Sequence, residues 1–295
     1  MMRNYSKTIK KIRTEKGFTQ KYIAKNIFTQ GNYSKFENSI HEDIKLSTFQ
    51  EIINRLEVSY DEFFFIHNAY KLSSRESIIK KFFAQIYNNI DDLKKLRENC
   101  TDYLKLNPDD KFIQNISIVL DALQILRKTK DFKEAHKLVG PIWSNLSKRD
   151  NLYIADIFLL NNILFIFPLE TAITLKKFSF KQIKKYENFY NLDRLKINFN
   201  LNLSLMYIRA LEFNSALALI EETINLCKKE QLLIQLSISY IRKGICLKYL
   251  NLPEENWIEK GYSILTILEE FDILKQVKEE VLRDSINNAD KEDDN

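Results

Sequence analysis

Glycine and proline are scarce in this chain, and their scarcity is the strongest constraint on the fold. The 295 residues include 5 Gly and 4 Pro, about a quarter of the share usual in globular proteins. Tight turns and bulges of sheets need glycine for positive φ, so the composition disfavours an all-β fold. No two glycines stand within a dozen residues, which excludes a Rossmann fingerprint and a P-loop. We expect an all-α protein.

Residues that carry catalysis or bind metals are few and scattered. The three cysteines, Cys100, Cys227 and Cys246, form no CxxC pair, and the three histidines form no HExxH or Cys/His cluster. His136 is the one histidine beyond residue 67. We therefore expect no metal site, no cofactor and no enzymatic activity, and only a redox role of Cys100 stays open.

Apolar residues are abundant enough for a large core but form no membrane span. They make up 45 % of the chain, and its length suggests about two domains. The longest apolar stretch, residues 154–173, is interrupted by polar residues and a proline, which indicates a buried helix. The first residues lack the apolar region of a secretory signal, so we expect a cytoplasmic protein without membrane contact.

Positive charge is concentrated at the beginning of the chain, although the net charge is only +5. Eight basic side chains and one acidic side chain lie within residues 1–25. Such a basic end favours a polyanion as partner. The other end, residues 285–295, is acidic and almost without apolar residues, which is typical of a disordered tail.

The first seventy residues predict five short helices. The first helix runs near residues 5–16 and ends before Gly17. Thr19 is predicted to cap a second helix over residues 19–27, and Thr29 a third over residues 30–38. A fourth helix follows a cap at Ser47, and the fifth covers residues 59–67.

These residues resemble the Cro/C1-type helix-turn-helix domain. The resemblance covers residues 5–67 and is carried by IRTEKGFTQKYIAKNIFTQGNYSKFEN and LSTFQEIINRLEVSYDEFFF. The TQ that opens the second helix, the SKFE in the third and the closing VSYDEF are similar to the Rgg group of peptide-responsive regulators of Gram-positive bacteria. The resemblance implies double-stranded DNA as a partner, with the third helix in the major groove.

The resemblance also gives DNA contacts to individual residues. Gln30 and Asn32 are predicted to read bases, because a side-chain amide can pair bidentately with adenine. Lys35 is predicted to reach a base or a phosphate, and Tyr33 is an ambiguous candidate. Phosphate contacts are expected from polar and basic side chains of the first three helices, namely Lys10, Lys11, Arg13, Gln20, Lys21, Ser34 and Asn38.

The rest of the chain contains a degenerate helical repeat. Three similar segments surround Ala135, Ala172 and Ala216, which are 37 and 44 residues apart, and a fourth at residues 250–265 lacks the alanine. Each segment follows a long apolar helix, and such periods mark solenoids of helix pairs. Residues 197–229 resemble a tetratricopeptide repeat, so we expect a concave groove lined by the first helix of each pair.

Polar and apolar side chains at helical spacing predict a peptide site in this groove. Asn198, Asn202, Leu205 and Arg209 share one helix face. Asparagine can donate to and accept from a peptide backbone, and Arg209 can hold a carboxylate. Neighbouring helices add Asn161, Asn162, Phe165, Gln235, Ile238 and Arg242.

The whole layout resembles the Rgg family and the wider group that includes PlcR and PrgX. This implies a helix-turn-helix domain (1–68), a linker helix region (69–90), a repeat domain for peptide binding and dimerisation (91–284) and the acidic tail (285–295). The resemblance implies a homodimeric transcriptional regulator, expected on a palindromic operator and controlled by a short hydrophobic signalling peptide. The apolar stripe Ile264, Ile267, Leu268, Phe271 and Leu274 is our candidate dimer contact. A protein partner for the repeats stays open as the alternative. A hydrolase or peptidase that is controlled by its own helix-turn-helix domain is a second alternative, but no catalytic triad or metal site in the sequence supports it.

Overall fold

The computed structural model describes residues 5–38, 44–84, 90–189 and 191–292, with side chains described as far as residue 281. Within this part of the chain there are α-helices and two short 3-10 turns and no strand, which confirms the all-α prediction. The chain divides into two compact units, Met1–Ser77 and Ile78–Asn295, called unit 1 and unit 2. None of the described helices has the length and apolar character needed to cross a membrane.

Unit 1 contains the five predicted helices. They are α1 (Tyr5–Glu15), α2 (Gln20–Ala24), α3 (Gln30–Asn38), α4 (Leu46–Leu56) and α5 (Tyr60–His67). Gly17 follows α1 with a φ of +71°, as a C′ glycine should. Their core is formed by side chains from all five helices, including Ile9, Ile23, Phe36, Ile52 and Phe63.

Two helix ends in unit 1 differ from the prediction. The second helix stops at Ala24, three residues before the predicted end, and Asn26 has a positive φ of 61°. Nη1 of Arg55 on α4 donates to the backbone oxygens of Ile23, at 2.7 Å, and Lys25, which holds the end of α2. Ser47 does not cap α4, because that helix begins at Leu46 with Lys45 at its N-cap.

Eleven described helices follow, the first of which, α6, crosses the boundary between the units. They are α6 (Ser74–Ala84), α7 (Ile90–Leu106), α8 (Lys111–Lys128), α9 (Phe132–Leu146), α10 (Ile154–Ile163), α11 (Leu169–Ile183), α12 (Asp193–Arg209), α13 (Phe213–Lys229), α14 (Leu233–Tyr249), α15 (Trp257–Ile267) and α16 (Phe271–Glu292). The predicted linker region includes residues 85–89, which lie outside the described residues. The predicted acidic tail is helical as far as Glu292.

From α8 to α15 the helices form four consecutive pairs, each an apolar first helix and a second helix packed against it. The repeat alanines, Ala135, Ala172 and Ala216, lie on second helices and are fully buried. In the last pair, Gly261 on the second helix and Gly244 on the first helix lie where the two helices approach closely. A Cβ on Gly244 would lie 2.6 Å from Cγ1 of Ile258, so only glycine permits this approach of α14 and α15.

Several turns between these helices use left-handed residues that are not glycine. Lys130, Leu211, Gln231 and Asn251 all have φ between 53° and 62°. At three of these turns the next amide closes a six-residue ring back to the helix, for instance Glu212 N to Tyr207 O at 2.9 Å. This is the Schellman arrangement, usually built with glycine. The low glycine content therefore coexists with many such helix ends.

The C-terminal half of α6 is anchored in unit 2. Ile78 and Phe82 are buried in the same core as α8 and α10. The ring of Phe83 stacks on that of Phe158 of α10, with centroids 3.9 Å apart and planes 11° apart. The part of α6 that belongs to unit 2 therefore packs against the second repeat pair.

Candidate functional site

The third helix presents one polar face to solvent and one face to the core of unit 1. Gln30, Asn32 and Lys35 are exposed, whereas Tyr33, Phe36 and Glu37 are buried. Oγ1 of Thr29 accepts from the amide of Asn32 at 3.3 Å, as predicted for the cap of this helix. The exposed face therefore carries the side chains that were predicted to read bases.

A buried ion pair fixes α3 against α1. Nε and Nη2 of Arg13 donate to the two carboxylate oxygens of Glu37, at 2.5 and 2.9 Å, and Nε2 of Gln20 donates to the same carboxylate at 2.8 Å. Burial opposes ionisation of Glu37, but the hydrogen bonds from Arg13 and Gln20 outweigh it and hold the pKa of Glu37 below its usual range. The hydrogen bond to Glu37 raises the pKa of Arg13. The pair is thus charged at neutral pH.

Two predicted DNA contacts must be corrected. Arg13 was predicted to bind phosphate, but its guanidinium is buried and engaged by Glu37 and by the backbone oxygen of Phe18. Tyr33 was a candidate base reader, but its side chain is fully buried between Phe28 and Phe36. Both side chains therefore pack α3 into the core of unit 1.

The other predicted DNA contacts lie at the surface or near it. Lys10, Lys11, Lys21 and Asn38 are exposed, and Gln20 and Ser34 are half-buried. Nζ of Lys10 donates to Oδ1 of Asn38 at 2.8 Å, which links the exposed face of α1 to the end of α3.

A cleft of about 610 Å³ lies between α2 and α3. Its lining includes Lys21 and Gln30, which were predicted to contact DNA, and also Tyr22 and Lys25, which were not. Both Tyr22 and Lys25 are exposed. Lys25 directly follows the short second helix. The sequence did not place it beside α3, because its pattern predicts that α2 continues past this residue.

In unit 2, four predicted groove residues lie on adjacent first helices of the repeat pairs. Nδ2 of Asn202 on α12 donates to the backbone oxygen of Asn161 on α10 at 3.1 Å. Nδ2 of Asn162 donates to the backbone oxygen of Phe158 at 2.9 Å. Asn198, Asn162 and Asn202 are half-buried, and Asn161 is buried with no described partner for its side-chain oxygen.

The remaining groove predictions divide into surface and core. Arg209 is exposed, and Leu205 and Phe165 are half-buried. Ile238 and Gln235 are instead corrected to core positions, because both are almost fully buried. Arg242 is also buried, and its guanidinium binds the carboxylate of Glu280 on α16 and the backbone oxygen of Leu201. The prediction missed this because helical spacing on α14 does not reveal that α16 packs over it.

All three cysteines are buried. Burial raises the pKa of the Cys100 thiol to about 11 and those of Cys227 and Cys246 to about 12. Since the thiolate is the reactive form, this environment disfavours the redox role that the sequence left open for Cys100. Among the described residues, no group of three or more His, Cys, Asp or Glu is placed to hold a metal ion.

Comparison with known proteins agrees with this architecture. Residues 9–63 match the family model described as helix-turn-helix. A structure of a putative transcriptional regulator from Listeria monocytogenes EGD-e is 20% identical, with a TM-score of 0.73, covering 98% of this chain and 99% of that one. No curated protein matches the chain in sequence.

Two further solved structures share the fold. Bacillus thuringiensis PlcR in complex with the peptide PapR7 and DNA is 20% identical, with a TM-score of 0.65 over 94% of this chain and 98% of that one. The Streptococcus dysgalactiae SHP pheromone receptor Rgg2 is 18% identical, with a TM-score of 0.65 over 95% and 99%. The chain thus has the helix-turn-helix and helical-repeat fold of these regulators, which confirms the resemblance at the level of the fold.

Proposed function

We propose that this protein is a DNA-binding transcriptional regulator whose repeats bind a short hydrophobic peptide, and that it acts as a homodimer on a palindromic operator. The observation that carries the DNA-binding part is the geometry of α3. Its buried face is fixed to α1 by the Arg13–Glu37 pair, while Gln30, Asn32 and Lys35 stay exposed on the opposite face. A rigid helix with exposed amides at its beginning suits the major groove.

The proposal that the repeats bind a peptide rests on the helical repeats themselves and on the similarity of this fold to solved peptide-binding regulators. PlcR was solved with a peptide and DNA, and Rgg2 is a pheromone receptor, and both share this fold. In this chain the half-buried Asn162, Asn198 and Asn202 lie on successive first helices, with Leu205 and Phe165 nearby. Amides that are partly withdrawn from water can hold the backbone of an extended peptide, and the apolar neighbours favour hydrophobic side chains.

Base reading is tested by substituting Gln30 and Asn32 with alanine. The DNA is a duplex selected by the wild-type protein from a random pool, and binding is measured at fixed salt. Each substitution should weaken binding about 5- to 100-fold and relax the preference at one base, as loss of a bidentate contact does. Lys21→Ala should weaken all sequences alike and reduce the salt dependence. Gln50→Ala, an exposed glutamine on α4, is the matched control, and unchanged preference in the α3 variants would remove this helix as the reader.

Peptide binding is tested with a pool of short synthetic hydrophobic peptides. The pool should raise the melting temperature of the full chain and change its affinity for the selected duplex, because a ligand of the folded state stabilises it. Asn202→Ala and Arg209→Ala should reduce both responses without weakening binding to unrelated DNA. Arg194→Ala, exposed near the beginning of the same helix, should behave as wild type. No response in the wild-type protein would favour a protein partner for the repeats.

A further inference from the structure

The last helix of unit 2 connects distant repeat pairs. Glu280 of α16 binds Arg242 of α14, and Oε1 of Gln276, one turn earlier, accepts from Nη2 of Arg127 on α8 at 3.1 Å. Val277 of α16 is buried in the core that α12 to α15 form. A single helix therefore contacts the first helix of both the first and the fourth pair.

The contact at Arg242 has the geometry of a carboxylate site. Nε and Nη2, one edge of the guanidinium, face the two oxygens of Glu280 at 3.0 and 3.3 Å. A planar pair of this kind is the strongest mode in which arginine binds a carboxylate. The α-carboxylate at the end of a peptide carries the same two oxygens.

Arg242 is held in place without help from α16. Its Nη1 donates to the backbone oxygen of Leu201 on α12 at 2.5 Å, and the residue is only 4% exposed. A buried guanidinium left without an anion is strongly unfavourable. When Glu280 leaves, another carboxylate can therefore take its place on the same edge of the guanidinium.

We propose that Arg242 is a carboxylate-binding site that Glu280 occupies from within the chain, and that a peptide with a free C-terminal carboxylate competes with Glu280 and releases α16. The inference rests on the proposed peptide function and narrows it to peptides with a free C-terminus. In this proposal Arg242 still binds the ligand, but from a buried position that becomes accessible only when Glu280 leaves, and not from the open surface of the groove. In the absence of such a carboxylate, α16 keeps the site closed.

The test uses the full chain and two small probes, N-acetyl-leucine and N-acetyl-leucinamide, which differ only in the carboxylate. In Glu280→Gln the internal competitor loses its charge, so millimolar N-acetyl-leucine should raise the melting temperature of unit 2 by about 2–4 °C. The amide should have no effect. Wild type and the neighbouring control Glu279→Gln should respond less than half as much, and Glu280→Gln/Arg242→Met should not respond.

A second variant covers the case in which Glu280→Gln does not fold. Val277→Ala weakens the packing of α16 but leaves both charges, so it should also increase the response to N-acetyl-leucine. Hydrogen exchange of α16 amides should then rise with N-acetyl-leucine and stay constant with the amide. Equal responses to both probes, or a response that survives loss of Arg242, would overturn the proposal. Failure of the peptide pool together with a positive probe result would instead count against the proposed function alone.

Discussion

The pair of Arg13 and Glu37 joins the first and third helices of unit 1. The sequence did not predict this pair. Because Arg13 lies on a basic first helix, it was predicted to bind phosphate instead. The pattern of charges does not show which charged side chains are buried. Only the packing of α1 on α3 brings Arg13 to Glu37. The helix that we propose as the DNA reader is thus positioned by an arginine whose own side chain is buried.

The lowered pKa of Glu37 predicts how the stability of unit 1 depends on pH. Its ionised form is favoured in the folded state, so its contribution is complete above the unfolded pKa near 4.5 and is lost as pH falls through the lower folded value. Glu37→Gln should cost about 3–5 kcal/mol at neutral pH, because Arg13 stays buried without an anion. The acid-dependent loss of stability should be smaller in this variant.

Hydrogen exchange of the amides in α1 and α3, measured from pH 7 to pH 3, checks this prediction. Trp143 and Trp257 both lie in unit 2, so tryptophan fluorescence gives an internal control that should not change with the substitution. An equally steep loss of protection at low pH in both proteins would contradict the assignment to Glu37.

At the scale of elements, most helices of the described chain could be predicted, since apolar periodicity and caps such as Thr19 and Thr29 are local signals. The early end of α2 could not, because it depends on Arg55, thirty residues away in sequence. The left-handed turns at Leu211 and Gln231 also escaped prediction, because these residues carry no turn signal.

In the candidate groove, too, some residue positions could be predicted from the sequence and others could not. Asn162, Asn198 and Asn202 lie on first helices of adjacent pairs, as their spacing suggested. Gln235 and Ile238 share such spacing on α14 but are buried. The repeat pattern defines one buried face for each helix, whereas α14 is covered on more than one side, by α12, α13, α15 and α16.

For the whole molecule, the proposed dimer can now be limited to a small surface. Of the predicted stripe, Ile264 and Leu274 are half-buried within unit 2. Ile267 and Phe271 are 80% and 60% exposed, and Leu268, which lies between them along the chain, is exposed as well. We call Ile267, Leu268 and Phe271 the corner patch, because they surround the turn between α15 and α16. Exposed apolar clusters of this kind favour association.

Ile267→Asp/Phe271→Asp should therefore shift the protein from dimer to monomer, since two carboxylates would be desolvated in each copy. Light scattering after size exclusion, at several protein concentrations, measures the change. Leu46→Asp is the matched control, because Leu46 is 77% exposed but lies in unit 1. A dimer that persists in the double variant would exclude the corner patch as the contact.

The two glycines at the crossing of α14 and α15 restrict how this sequence can evolve. Any codon change that replaces Gly244 or Gly261 adds at least a Cβ, and at Gly261 that atom would lie 2.6 Å from the backbone oxygen of Ser237. Gly31, in contrast, has no atom within 4 Å of such a Cβ. Gly31 on α3 can therefore be replaced by a single substitution, whereas replacing Gly244 or Gly261 at the crossing beside Arg242 requires neighbouring atoms to move as well.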